Sequence, residues 1–209
     1  MTASERRHQL IDSAISLFGQ HGLNGTTTKS LADAAGVSEA TIFKHFPTKN
    51  ALYVAAFERR TAVGSEALVA TLQDHMDRGE DEELLRVLTR SIFVWYEMDR
   101  DLHRMLLYVQ LEQGVSEGKR VAAELLKNPV VRFLERFVAQ RQTEGAFAPG
   151  SLLVLVPLLT SVPASYATYT KLYSLSTGVP DEEVVATYSK FLLAGLRDQS
   201  VRVTPRVGQ

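Results

Sequence analysis

Apolar residues recur along this chain at helical spacing almost from end to end. Leu10, Ile11, Ala14, Leu17 and Phe18 mark one face of a first helix, which Gly22 ends. Thr26-Thr27-Thr28 offers an N-cap for a second, with Leu31, Ala32 and Ala35 as its apolar positions. Gly36 stops it by supplying the left-handed backbone that a tight turn needs. Ser38 can cap a third short helix reaching Phe46, and Pro47 cannot extend it because it lacks an N–H. Leu31, Ala34, Val37 and Ile42 are placed to hold these two helices together. Thr48 caps a fourth, expected to run from Lys49 to about Leu72.

Longer helices follow. Leu85, Leu88, Ile92, Trp95 and Tyr96 share a face, as do Leu102, Met105, Leu106 and Val109. Gly114 and Gly118 separate that second helix from the next. Val130, Phe133, Leu134, Phe137 and Val138 fall at amphipathic spacing after a restart at Asn128-Pro129. A weakly polar helix covers Ser151–Ser174. A last helix begins with Asp181, Glu182 and Glu183, which oppose its dipole, and carries Val185, Tyr188, Phe191, Leu192 and Leu196 on its apolar face. No hairpin turn joins two alternating runs, so strands are not predicted. The pattern predicts an all-α fold of about nine helices: a three-helix head followed by a larger antiparallel helical body.

Composition narrows the chemistry. The chain has 209 residues, enough to bury a core without metals or disulfides. It has no cysteine, which removes disulfides, thiolate metal sites and cysteine nucleophiles. Its net charge of −1 argues against a wholly basic nucleic-acid protein, yet residues 1–60 hold seven Lys/Arg against five Asp/Glu. The start is polar and unlike a signal peptide. The uncharged stretch 145–170 contains Pro149, Pro157 and Pro163, so it reads as a buried helix and not as a membrane span. A cytoplasmic location is expected. Asp99, Asp101 and His103 read as a solvated helix start, not a metal site. The glycines of 114–120 are misspaced for a phosphate loop. No cofactor, metal or catalytic residue is nominated, and no enzyme is expected.

The informative segment is Thr27–Lys49. Two short helices joined by Ala35-Gly36-Val37-Ser38 form a helix-turn-helix unit. The second presents Glu39, Ala40, Thr41, Phe43, Lys44 and His45 outward, a small-tipped helix able to enter a major groove. Thr27, Thr28 and Lys29 sit at one helix N-terminus, Thr48 and Lys49 at another. Free N–H groups and the positive dipole end suit phosphate oxygens.

The segment resembles the DNA-binding domain of the TetR/AcrR family of bacterial transcriptional regulators. The likeness starts at Arg7-His8-Gln9-Leu10 and includes Leu17-Phe18-Gly19-Gln20-His21-Gly22. It continues through Thr26-Thr27 and Leu31-Ala32-Asp33-Ala34-Ala35-Gly36-Val37-Ser38, and closes with Thr41-Ile42-Phe43-Lys44-His45-Phe46-Pro47-Thr48-Lys49-Asn50-Ala51-Leu52. The resemblance implies a DNA-binding domain over 1–48, an effector-binding and dimerisation domain over 49–198 with helix 49–72 as connector, and a frayed tail over 199–209.

It implies DNA contacts from Thr27, Thr28, Lys29, Ser38, Ala40, Thr41, Phe43, Lys44, His45 and Lys49. Thr28 and Lys49 match phosphate-contacting positions; Ala40, Thr41 and Lys44 match positions facing base edges. Phe43 stands where the family often has tyrosine and cannot donate a phosphate hydrogen bond. The family also implies an effector cavity, for which Trp95, Tyr96, Met98, Met105, Tyr108, Phe133, Phe137, Tyr166 and Tyr169 are the aromatic and thioether candidates. Ala164, Ser165, Ala167, Thr168, Tyr188, Phe191 and Leu192 are candidates for a homodimer interface. The expected activity is repression from a two-fold symmetric double-stranded DNA operator, relieved by a small apolar or aromatic effector. An effector-independent or activating regulator, and an all-helical enzyme or binding protein keeping a helix-turn-helix remnant, stand as alternatives.

Overall fold

The computed structural model describes residues 2–62, 64–112 and 127–197. Among these residues there are ten α-helices, one π-helical turn and no strand. The helices are α1 (Ala3–Gly25), α2 (Thr28–Ala35), α3 (Glu39–His45), α4 (Lys49–Ala62), α5 (Ser65–Asp77), α6 (Asp81–Met98) and α7 (Arg100–Glu112). They continue with α8 (Pro129–Thr143), α9 (Leu152–Ala167) and α10 (Asp181–Arg197), with the π turn Thr168–Leu172 directly after α9. The glycine-marked segment after α7 and the tail after Arg197 lie outside the described residues.

The expected caps form. Thr27 accepts from Ser30 N–H, Ser38 from Thr41 N–H and Thr48 from Ala51 N–H. Gly36 ends α2 at φ +64, a conformation that strains any residue with a Cβ. The single helix expected over 49–72 is two helices, α4 and α5. Gly64, at φ +76, caps α5 and interrupts the right-handed path. Sequence spacing is blind to this break because Leu68 and Leu72 keep the apolar period beyond it.

The chain folds as two compact units, which it visits alternately. One comprises Met1–Val63 and Asp99–Asn128, the other Gly64–Met98 and Pro129–Gln209. The expected division at residue 48 therefore differs from the packing: α4 and α7 belong with α1–α3. In this head unit Leu10, Ile11, Ala14, Ile15 and Phe18 of α1 pack with Leu31, Ile42, Leu52, Phe57, Leu102 and Met105. Leu17 is only partly buried and Ile15 takes its place; Ala34 is exposed, and Ala35 is buried in its stead. Helices α1 and α7 cross at backbone distance, since a Cβ on Gly19 would lie 2.6 Å from Asp101 Cβ. The buried Tyr53 hydroxyl donates to the Met105 carbonyl at 2.6 Å, and Tyr108 donates to the Gln20 carbonyl.

The body unit is centred on Leu84, Leu85, Leu88, Phe133, Leu134 and Phe137. Among the described residues its charged interior feature is the pair Arg141 and Asp81. The guanidinium donates to Asp81 at 2.7 Å and to the Met76 carbonyl at 2.8 Å, fastening α8 to α6 and the end of α5. Lys171 in the π turn pairs with Glu97 and Asp181. The stretch Leu152–Leu172 is long and apolar enough to cross a membrane by length and composition, although Pro157 and Pro163 interrupt it. It was expected to be a buried helix, but its burial is one-sided. Val156, Leu159, Pro163 and Ala167 are buried, while Leu153 is 79% exposed and Val154 and Leu158 face solvent. On α10, likewise, Phe191 is 71% exposed; Val184, Ser189 and Leu193 occupy the buried face with Val185, Leu192 and Leu196.

Candidate nucleic-acid interface

The helix-turn-helix is held from inside by Leu31, Ala32, Ala35 and Ile42, with Val37 partly buried against them. That packing turns the other face of α3 outward. Glu39, Ala40, Phe43 and Lys44 are exposed, and Thr41 and His45 are half-buried. Phe43, at 48% exposure, is a large apolar side chain left at the surface on a seven-residue helix. The Thr41 hydroxyl lies 3.0 Å from that of its cap, Ser38, so both are oriented before any ligand arrives.

Two helix starts flank α3. At α2, the Thr27 side chain takes the Ser30 N–H and the Thr27 carbonyl takes the Leu31 N–H. The N–H groups of Thr28 and Lys29 precede that first intrahelical bond, as the leading amides of any helix do. At α4, Thr48 caps and Lys49 follows. Lys49 does not project freely: its ammonium donates to the Thr26 carbonyl at 2.6 Å.

Three contacts that sequence reading did not anticipate brace the head unit. Gln9 donates to the Ala35 carbonyl at 3.3 Å, tying α1 to the end of α2. The Arg7 guanidinium lies 4.7 Å from the centre of the buried Phe46 ring, beneath the end of α3. Arg59 pairs with Asp12 at 3.0 Å. Each joins residues far apart in sequence, so no local pattern announces it.

The aromatic candidates do not assemble as one lining. Met105 and Tyr108 lie in the head unit. Met98 and Tyr169 are exposed, at 79% and 54%. Phe133 and Phe137 are packed in the body core, and Trp95, Tyr96 and Tyr166 are half-buried. Periodicity marks a buried face but not which core receives it. Tyr166 and Tyr188 do share an open depression with Thr177, Val179, Glu183, Val184 and Thr187. Of the interface candidates, Ala167 and Leu192 are taken up by their own core. Ser165 and Phe191 face outward, and Ala164, Thr168 and Tyr188 are half-buried. Asp99 and His103 also have structural roles. The Asp99 carboxylate accepts from Leu102 N–H and pairs with Arg60, and its carbonyl lies 2.7 Å from His103 Nδ1. Burial pushes the His103 pKa down, against the opposing pull of Asp99.

A braced helix-turn-helix with an outward α3, carried on a chain whose described residues form helices and no strand, defines a class of protein. Residues 10–56 match the family described as bacterial regulatory proteins, tetR family. The KstR2 transcriptional repressor of Rhodococcus jostii is 41% identical over 139 residues, covering 55% of this chain and 68% of that protein. The probable acrEF/envCD operon repressor of Escherichia coli K12 is 30% identical over 92 residues, 44% of this chain; the match spans about two fifths (40%) of that relative's length. The fold is that of Bacillus subtilis FadR, a transcriptional regulator solved in complex with stearoyl-CoA. The TM-score is 0.70 at 14% identity, covering 90% of this chain and 98% of that one. This chain belongs to the TetR family of bacterial regulatory proteins.

Proposed function

We propose that this protein is a DNA-binding transcriptional regulator that reads a two-fold symmetric operator as a homodimer and represses until a small apolar effector releases it. One observation carries the DNA reading: α3 exposes Ala40, Phe43 and Lys44 between the starts of α2 and α4. Lys44, Thr41 and Ala40 face base edges, while Thr27, Thr28, Lys29, Ser38, His45 and Lys49 serve the backbone on either side. Phe43 offers apolar contact to sugar or a thymine methyl.

The homodimer reading rests on the outward apolar residues Leu153, Val154 and Leu158 of α9 and Phe191 of α10. Large apolar side chains left in solvent favour an association site, and two half-sites require two reading heads. A second copy is the occupant that satisfies both. The effector reading draws on the half-buried Trp95, Tyr96 and Tyr166 and on the fold shared with a regulator solved with stearoyl-CoA. A shift of the thermal midpoint with effector would separate this reading from an effector-independent regulator.

The test is selection of bound duplexes from a random library at moderate salt. The wild-type chain should enrich a two-fold symmetric motif, and Lys44→Ala should enrich a motif relaxed at one position per half-site, at a cost of about 1–3 kcal/mol. No enrichment by the wild type, before or after refolding free of ligand, would sink the reading.

A further inference from the structure

The corner between α1 and α2 is fastened from three directions. Gly22 departs from helical backbone near the end of α1, at φ +68 and ψ −176. Thr26, 1% exposed, turns its hydroxyl back onto the Gly22 carbonyl at 2.6 Å, with the Leu17 carbonyl at 3.2 Å. The carbonyl of Thr26 then accepts the Lys49 ammonium at 2.6 Å, across 23 residues of chain. Lys49 is the first residue of α4. A cation there sits at the positive end of the helix dipole, an unfavourable place unless an acceptor offsets it. Thr26 provides that acceptor. It occupies one of the three ammonium protons and leaves two.

We propose that Lys49 is a positioning residue. Its ammonium is a strut that holds the start of α4 against the α1–α2 corner and so fixes where α2 begins. The residue after Thr26 is the cap of α2, and the next two carry the leading amides. A change at Lys49 therefore displaces the Thr27–Lys29 segment as a whole, beyond removing one positive charge. The functional half of this inference rests on the DNA-binding reading above; the structural half does not.

The two roles of a lysine differ in what salt does to them. A point charge on phosphate contributes through counterion release, so its loss matters less as salt rises. A displaced α2 start is a fault of geometry and persists at high salt. It is also present before DNA binds. Lys49→Met keeps the aliphatic stem and removes the ammonium; Lys49→Arg restores a donating cation.

Hydrogen exchange of the free full-length protein reads the strut directly at the Ser30 and Leu31 amides, whose acceptors are the Thr27 side chain and carbonyl. Lys49→Met should speed both about tenfold while leaving the body amide of Ala148, bonded to Leu196, unchanged. Lys49→Arg should return both to within about threefold of wild type. On the duplex selected by wild type, the Lys49→Met deficit should shrink with salt by no more than the loss of one phosphate contact, and a residual deficit should persist at high salt. Unchanged exchange at Ser30 and Leu31, or a deficit that vanishes at high salt with a slope reduced by about one, would overturn the proposal in favour of a bare phosphate contact. If Lys49→Met does not fold, Lys49→Gln, which keeps a neutral donor, replaces it and must show intermediate exchange. If wild type selects no duplex, the DNA reading fails, and the exchange result still decides the strut.

Discussion

In the head unit, the surface around α3 carries helix starts, hydroxyls, Lys44 and the exposed carboxylate of Glu39, with Phe43 as its large apolar side chain. In the body unit, α9 and α10 instead leave Leu153, Val154, Leu158 and Phe191 in solvent. The interiors differ in the opposite sense. Beneath its polar surface the head is joined by close backbone approach at Gly19 and by buried neutral hydrogen bonds such as Tyr53 to Met105. Beneath its apolar surface the body is joined by a buried ion pair, Arg141 to Asp81. Under the proposed function, the head presents its polar groups to a hydrated polyanion and the body presents apolar area to a second copy; inside, an ion pair joins the helices of the body where close packing joins those of the head.

Breaking the body's ion pair should have the largest effect. Arg141→Met would leave Asp81, 6% exposed, with only the more distant Arg197 at 3.5 Å. Losing one partner of a buried pair costs about 3–5 kcal/mol. Denaturant unfolding monitored by Trp95, which lies in the body, should show it, and a cost under about 1 kcal/mol would mean that Arg197 replaces Arg141. Next comes the apolar surface. Phe191→Glu should convert a dimer to monomers in sedimentation without lowering the monomer's stability, because the side chain is outside the core. A fully buried Phe contributes about 1.5–3 kcal/mol, so the dimer constant should weaken by at least tenfold.

Gly19→Ala probes the head. The added methyl must push α1 from α7, because the nearby atoms include Asp101 Cα at 2.8 Å and its carbonyl oxygen at 2.9 Å. Overpacking of this kind costs about 1–3 kcal/mol, and exchange of α7 amides should report it. The smallest effect is pH. The His103 pKa is pushed down by burial, so the folded head resists a proton that the unfolded chain accepts below about 6.5. Stability is therefore full above that pH and declines as pH falls through it, by at most about 1.4 kcal/mol per unit. His103→Gln should flatten that decline in the thermal midpoint measured from pH 7.5 to 5.5.

Every cap expected at α2, α3 and α4 was legible in the sequence, because a cap is local: Thr27, Ser38 and Thr48 each bond an amide three residues on. The helix-turn-helix was legible for the same reason, its turn fixed by Gly36 and its packing by residues a few positions apart. The sequence also determined which helices are amphipathic. Only the tertiary structure decided which core each apolar face joins: Met105 has the same periodic signature as Ile92, yet one packs in the head and the other in the body. It also decided that Phe191 faces out while Leu193 faces in, that α4 ends before Gly64, and that Lys49 reaches back to Thr26. Period records that a face is apolar. The partner of that face, or of a long flexible cation, is set by contacts between residues distant in sequence.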